Sequence, residues 1–389
     1  MPAAPSSTTV AGLVTALVGF LSSFAVVLTG LRAVGATPGQ AASGLVVLSL
    51  AMGLATVLLA QRTRMPITVA WSTPGAALLA TAAAPSWEVA VGAFVVVGAL
   101  VLLTAAWPRL GAAIGAIPPV LAQAMLAGVL VPLCLQPVRS ALQMPWLVVP
   151  VVLVWALLLR FSARWAVPAA FAVTLGITGW LAWRDGGVDA AALVPVLEWT
   201  TPDLTSTAAV GLALPLFLVT MASQNVPGMA VLAAYGYWAP WRSAMAVTGA
   251  GTLLGAPFGG HAINLAAISA ALAAGPEADP DPSRRWLAAR TAGLAYVGFA
   301  LVSAAVAALV VTAPAGFVAA AAGLALWPVL AASLSGALAR AEDRIPVVAT
   351  FLVAISGVTV GGIGSAFWSL VVGLAFWAWY RPQPAAAPA

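Results

Sequence analysis

Residues 67–84 read ITVAWSTPGAALLATAAA, and residues 258–274 read FGGHAINLAAISAALAA. Each places helix breakers ahead of a short Ala/Leu run: Ser72, Thr73, Pro74 and Gly75 in the first, Gly259 and Gly260 in the second. Pro74 suits the first turn of a helix, where its missing N–H costs nothing, and Ser72 or Thr73 suits the cap. Both stretches therefore read as half-helices that begin in the middle of an apolar segment. An ordinary proline-kinked helix is the competing reading of 67–84 taken alone, and the matching interruption far along the chain weighs against it. Paired discontinuous helices near the bilayer midplane are how secondary transporters build their sites.

The composition requires that setting. Of 389 residues 63% are hydrophobic and 6% are charged, with mean hydropathy +1.07, where soluble domains carry about 25% charged residues. The chain reads as an all-α polytopic membrane protein with no separate soluble domain. Its 15 cationic side chains are all arginine, and their dispersal over loops fits membrane topology and not a nucleic-acid surface. A single cysteine, Cys134, excludes an internal disulfide and offers no metal set. The N-terminal MPAAPSSTTV lacks a positive region and reads as a retained tail, not a cleaved signal.

A crossing needs about 20 apolar residues, fewer where a broken backbone is shielded by protein. Cutting at charges, prolines and glycine clusters predicts about fourteen spans, near 12–30, 44–60, 66–82, 88–106, 112–134, 145–160, 165–183, 207–235, 243–258, 259–275, 288–311, 316–338, 345–362 and 366–380. With the N-terminus cytoplasmic, the inner loops and tail hold Arg62, Arg64, Arg109, Arg160, Arg164, Arg242, Arg284, Arg285, Arg290, Arg340, Arg344 and Arg381. The outer loops hold only Arg32, Arg139 and Arg184, as the positive-inside rule requires. Both termini are then cytoplasmic. The acidic stretch 184–206, with Asp185, Asp189, Glu198 and Asp203, is an external linker between two halves, 1–183 and 207–389. Seven spans in each half put the second upside down relative to the first, an inverted repeat.

The chain's one histidine, His261, follows Gly259 and Gly260 in the tenth span. An ionisable group in such a place is a functional candidate by default, and carrying a proton is its obvious use. A packing histidine that donates to a nearby carbonyl is the competing reading. Near a helix N-terminus protonation is disfavoured, yet an incoming carboxylate would favour it, so anion and proton would bind together. Ser223, Gln224 and Asn225 stand side by side before Pro227 and Gly228 in the eighth span and read as an unwound, cavity-facing segment; Ser22 and Ser23 are their counterparts in the first. Trp71 and Phe258 flank the two breaks and are placed to clamp a planar ring, although packing would explain either. Gln123 in the fifth span is assigned to an interhelical hydrogen bond. No GxxxxGK[ST] loop, Asp-rich pair, HExxH or TVGYG filter occurs, so ATP-driven transport, prenyl transfer, zinc proteolysis and a potassium-type pore are not indicated.

WSTPGAALLA (71–80), ASQNVPGMAVL (222–232) and FGGHAINLAAISAA (258–271), in this order and spacing, resemble the BenE-like benzoate membrane transport protein family of bacterial benzoate/proton symporters. The resemblance covers essentially the whole chain. It implies the seven-plus-seven fold of the uracil and xanthine permeases and of the sulfate and bicarbonate transporters. A core domain (12–106 plus 207–311) would move against a gate domain (112–183 plus 316–380), and spans three and ten would each begin as a short extended segment. Substrate would lie between Ser72–Gly75 and the segment from Gly260 and His261 to Asn264, with Ser223–Asn225 alongside. The nucleobase permeases place acids in spans eight and ten, where this sequence has Ser223 and His261, a departure that suits an anion.

The sequence thus predicts a proton-coupled importer of benzoate or a similar aromatic carboxylate in the bacterial inner membrane, with His261 as the proton-coupling residue. No enzyme activity, cofactor or metal is expected; the partners are substrate, protons and lipid, with a homodimer allowed for. Another monocarboxylate, a nucleobase, or an uncoupled anion channel of the same fold are the alternatives.

Overall fold

The computed structural model describes residues 6–82, 84–187, 193–205, 207–314 and 316–380; the N-terminal residues of the expected tail, Asp189 and Arg381 lie outside the described residues. The first half runs α1 (Ser6–Leu21), α2 (Phe24–Ala33), α3 (Pro38–Thr63), β1 (Val69–Trp71), α4 (Thr73–Leu79), α5 (Trp87–Ala106), α6 (Pro108–Gly115), α7 (Pro119–Cys134), α8 (Gln136–Gln143), α9 (Pro145–Phe161) and α10 (Ala163–Arg184). The second runs α11 (Thr207–Thr220), a π-helical turn (Met221–Asn225), α12 (Val226–Ala234), α13 (Trp241–Gly255), β2 (Ile263–Leu265), α14 (Ile268–Ala274), α15 (Trp286–Val311), α16 (Phe317–Ala337), α17 (Arg344–Ile355) and α18 (Ser365–Tyr380). Among the described residues eight helices or helix pairs are long and apolar enough to cross a membrane, and α9 and α18 are shorter apolar helices. Their outer faces expose Leu54, Leu153, Leu254 and Leu301, as a hydrocarbon surrounding allows, and Trp146 and Trp379 are exposed at helix ends.

Local chemistry sets the helix ends. Thr37 and Gln40 form a reciprocal capping box, with Pro38 as the first residue of α3, and the helix stops at Arg64 in the left-handed region (φ 56°). The span expected over 345–362 is corrected: α17 ends at Ile355, and Gly357, Gly361 and Gly362 take positive φ in an irregular connection. Three glycines in this stretch permit a conformation that no helix continues through. The expected fifth span is likewise divided, α6 from α7, because Pro118 and Pro119 cannot continue a helix.

At the centre β1 and β2 pair antiparallel, Val69 opposite Leu265, Ala70 opposite Asn264 and Trp71 opposite Ile263. Inside a bilayer every backbone donor must find a partner within the protein. Three of the four amides that the two strands turn away from each other are taken up by side chains: Val69 N–H by Thr56 Oγ1 (2.9 Å), Ile263 N–H by Thr252 Oγ1 (3.0 Å) and Leu265 N–H by Asn225 Oδ1 (2.9 Å). Ser72 N–H to the Ala262 carbonyl (3.0 Å) and Ala266 N–H to the Thr68 carbonyl (3.0 Å) close the ends.

The helices pack around this crossing through glycine, which lets backbones approach where lipid offers no hydrophobic drive. A Cβ on Gly53 would lie 2.7 Å from the Gly293 carbonyl oxygen, and one on Gly293 2.8 Å from that of Gly53, so α3 and α15 touch backbone to backbone. Gly98 and Gly249 do the same for α5 and α13. The packing partners recur in pairs: α3 with α15 and α13 with α5, α1 with α14 and α11 with α4, α1 with α10 and α11 with α18, α7 with α17 and α16 with α9. Residues 198–203 of the stretch between the halves are tied to this bundle, Glu198 N–H donating to Ser43 Oγ (2.9 Å). Thr200 N–H donates to the Pro257 carbonyl, Trp87 Nε1 to Thr200 Oγ1, and Asp203 N–H to the Glu88 carbonyl.

Candidate functional site

The site begins with Ser72. Its hydroxyl accepts from Gly75 N–H (3.1 Å) and its carbonyl from Ala76 N–H (2.8 Å), so α4 starts directly out of β1 with Pro74 in its first turn. The amides at the start of this half-helix, which would otherwise suit an anion, are thus largely used internally. Ser72 Oγ also pairs with Thr220 Oγ1 at the end of α11 (2.8 Å). A Cβ on Gly75 would lie 2.6 Å from Leu216 Cδ1 and 2.7 Å from Ser72 Oγ, so a side chain there would require Leu216 to move and would crowd the cap. α14 begins after Ala267, which provides no side-chain cap.

Between the starts of α4 and α14 lies a cavity of about 100 Å³. Ser22, Ser23, Thr73, Gln224 and Ser269 bring polar groups to it, and Leu130, Leu326 and Val329 from α7 and α16 close it with apolar surface. None of its lining residues is ionisable. Trp71 lines it too, its Nε1 donating to Ser23 Oγ (2.7 Å) and its ring 5.2 Å from that of Phe20. Trp71 is therefore an anchored wall. Phe258 is elsewhere: its ring meets Trp199 at 5.4 Å and its carbonyl accepts from Ser43, because Gly259 at φ 92° turns the chain away. The two aromatic residues do not form the expected clamp around one space.

His261 is fully buried, with Nε2 3.0 Å from the Ser72 carbonyl oxygen. A carbonyl only accepts, so Nε2 carries the proton and Nδ1 holds the free lone pair. Nδ1 has no partner among the described residues. The carbonyl bond is what a packing histidine makes; the orphaned Nδ1 is not explained by packing. His261 and Gly260 do not line the cavity but stand behind Ser72.

Residues 223–225 are wound and not unwound as expected. Pro227 cannot donate to the Ser223 carbonyl and would clash with it in an α-helix, and the π turn at Met221–Asn225 relieves both problems. The turn fans the three side chains apart. Gln224 reaches the cavity, Asn225 holds Leu265 N–H and donates to Met221 Sδ (3.1 Å), and the buried Ser223 hydroxyl has no partner among the described residues. Asn264 donates to the Leu265 carbonyl (2.8 Å) while its Oδ1 is unpartnered. Among the described residues Gln123 Oε1 has no partner, so the expected interhelical bond is not made through it, and the side chain lies against Gly336. Ser269 and Thr220 were not singled out by sequence, although Ser269 is the one hydroxyl in an otherwise Ala/Leu-rich half-helix.

Comparisons with known proteins show the family and the fold. Residues 3–378 match the model of a family described as BenE, benzoate membrane transport protein. The chain is 39% identical over 371 residues to inner membrane protein YdcO of Escherichia coli strain K12, covering 95% of this chain and 94% of that one. It is 28% identical over 385 residues to the benzoate membrane transport protein of Acinetobacter baylyi, covering 97% and 96%. Among solved structures it resembles the transmembrane domain of the cyanobacterial bicarbonate transporter BicA, with TM-score 0.59 and 13% identity over 94% of this chain and 97% of that one. At that identity the likeness is one of fold.

Proposed function

The chain belongs to the BenE family of benzoate membrane transport proteins and is a membrane transporter, not an enzyme; from this premise we propose that it imports benzoate or a similar aromatic carboxylate together with protons. The observation that carries the reading is the uncharged cavity, polar on one side and apolar on the other, at the meeting of two half-helices. Its hydroxyls and the Gln224 amide suit one small oxygen-bearing group, and its leucine, valine and tryptophan surface suits a ring. Burying a carboxylate there without compensating charge is costly. A proton taken up with the anion removes most of that cost, and His261 Nδ1 is the buried base nearest to hand.

In this reading the chain is a seven-plus-seven inverted repeat of about fourteen spans. The exchange of packing partners between halves supports it. The core domain carries Ser72–Gly75, Ser223–Asn225 and the segment from Gly260 to Asn264, and the gate domain supplies Leu130, Leu326 and Val329. Motion of core against gate would expose the cavity to each side in turn. The arginine asymmetry and the likeness to an Escherichia coli inner membrane protein support a bacterial inner membrane with both termini cytoplasmic.

The test is uptake of labelled benzoate by liposomes containing the purified protein, with and without an inward proton gradient. Accumulation above equilibrium that collapses with the gradient is expected, with cyclohexanecarboxylate a weaker competitor and uracil and sulfate near background. Gradient-independent equilibration would leave an uncoupled anion channel, and stronger competition by uracil would reject the aromatic acid.

A further inference from the structure

Tyr296, on α15, is completely buried, and its hydroxyl has no hydrogen-bond partner among the described residues. A phenol in an apolar interior normally finds one, and an orphan calls for an explanation. Its position supplies one. The phenol oxygen occupies the space in which a Gly19 side chain would lie, and Ser269 Cβ is 3.8 Å from that same point. Gly19 and Ser269 both line the cavity, so one residue's thickness separates the Tyr296 hydroxyl from it. On its other side the Ser269 hydroxyl meets Thr68 Oγ1 at 3.3 Å.

A serine hydroxyl has one proton and two lone pairs. If Thr68 and Tyr296 both donate to Ser269 Oγ, its lone pairs are filled and its one proton has only the cavity to point to. Ser269 is then a donor and nothing else. A deprotonated carboxylate is an acceptor and nothing else, whereas an amide or a nucleobase also brings N–H groups that such a serine cannot accept. We propose that Tyr296 is a positioning residue for substrate recognition, which with Thr68 makes Ser269 an obligate donor to the carboxylate of the bound ligand. The Thr68–Ser269 contact is in place in this structure, with either hydroxyl able to donate; Thr68 becomes the donor, and the Tyr296 leg forms, when a ligand oxygen draws the Ser269 proton into the cavity. This inference rests on the aromatic carboxylate reading of the same cavity.

The test uses the full-length purified protein, wild type and Tyr296→Phe, with benzoate and benzamide as probes. Direct binding should show benzoate affinity falling about tenfold in the variant, with benzamide unchanged or improved. The thermal midpoint without ligand should not fall, because the variant removes an unpaired buried hydroxyl. Ser269→Ala should lose a similar factor, and the double variant little more, since the two act as one unit. Wild-type benzoate affinity in Tyr296→Phe, equal losses for benzoate and benzamide, or additive losses in the double variant would overturn the proposal while leaving the carboxylate reading standing. Failure of the wild type to bind benzoate would overturn both.

Discussion

Gly211 of α11 and Gly362 of the irregular connection before α18 meet so closely that a methyl group on Gly211 would collide with the Gly362 carbonyl oxygen. The contact joins an element assigned to the core with one assigned to the gate. Gly53 and Gly293 also bring two backbones together, at 2.7 Å from a Gly53 Cβ to the Gly293 carbonyl oxygen, but both belong to the proposed core. Gly211→Val should therefore yield a folded protein that retains benzoate binding and transports at a small fraction of the wild-type rate. Gly53→Val should fail to accumulate as a folded protein. Fluorescence-detected size exclusion and uptake, measured in parallel, separate the outcomes; identical behaviour of the two variants would contradict the division into core and gate.

His261→Gln offers an N–H to the Ser72 carbonyl but has no titratable nitrogen. It should bind benzoate about ten- to a hundredfold more weakly, for want of the compensating proton, and lose gradient-driven accumulation altogether. His261→Ala, which removes one of the two donors to the Ser72 carbonyl and leaves Ala76 N–H as the other, should in addition lose about 0.5–1.5 kcal/mol of stability. Thermal unfolding and uptake over a range of pH are the measurements, and a Gln variant that keeps the wild-type pH dependence would move the proton site elsewhere.

Asn225 holds the Leu265 amide with its Oδ1, so Asn225→Leu leaves a buried donor inside the bilayer without an acceptor. A loss of about 1–3 kcal/mol is expected, whereas Gln224→Leu, which changes only the cavity wall, should leave stability near wild type and weaken benzoate. A thermal melt of both variants decides it.

Outside the membrane-spanning segments, Asp279 accepts from Thr8 Oγ1 (2.7 Å) and from Asp281 N–H (2.9 Å), with Arg284 3.8 Å away. The Thr8 hydroxyl foremost, then the Asp281 amide and the arginines, hold its carboxyl below the usual aspartate range against the opposing effect of burial. A lowered folded-state pKa means that the stabilisation is complete above the ordinary aspartate range and disappears as pH falls through the folded value. The thermal midpoint should therefore drop on acidification. Asp279→Asn should flatten that drop, and Thr8→Val should shift it towards higher pH.

How much of this was legible in the sequence varies with the physics of each residue. Ser72 and Pro74 announce a helix start because capping and the missing proline N–H are local effects, and the structure puts both where the spacing did. The wound turn at Met221–Asn225 was misread because proline and glycine signal only that an α-helix is disturbed, and a widened turn and an open strand satisfy that signal equally. The partnership of Thr56 with Val69 and of Thr252 with Ile263 depends on tertiary approach, which no one-dimensional pattern encodes. Tyr296 reads as one more aromatic in an apolar span until Gly19 is seen beside it. Leu130, Leu326 and Val329 carry no signal at all, since a leucine that closes a cavity and one that faces lipid are the same letter.

The three-residue pairing of β1 with β2 bears on how the chain assembles. A polypeptide ending before the linker would carry Val69–Trp71 with one edge open in hydrocarbon, where each unpaired amide costs several kcal/mol. Such a chain could satisfy that edge only against another strand running the opposite way. In the full chain that strand is Ile263–Leu265, so neither part of the sequence closes its own backbone and the two must enter the bilayer as one folding unit.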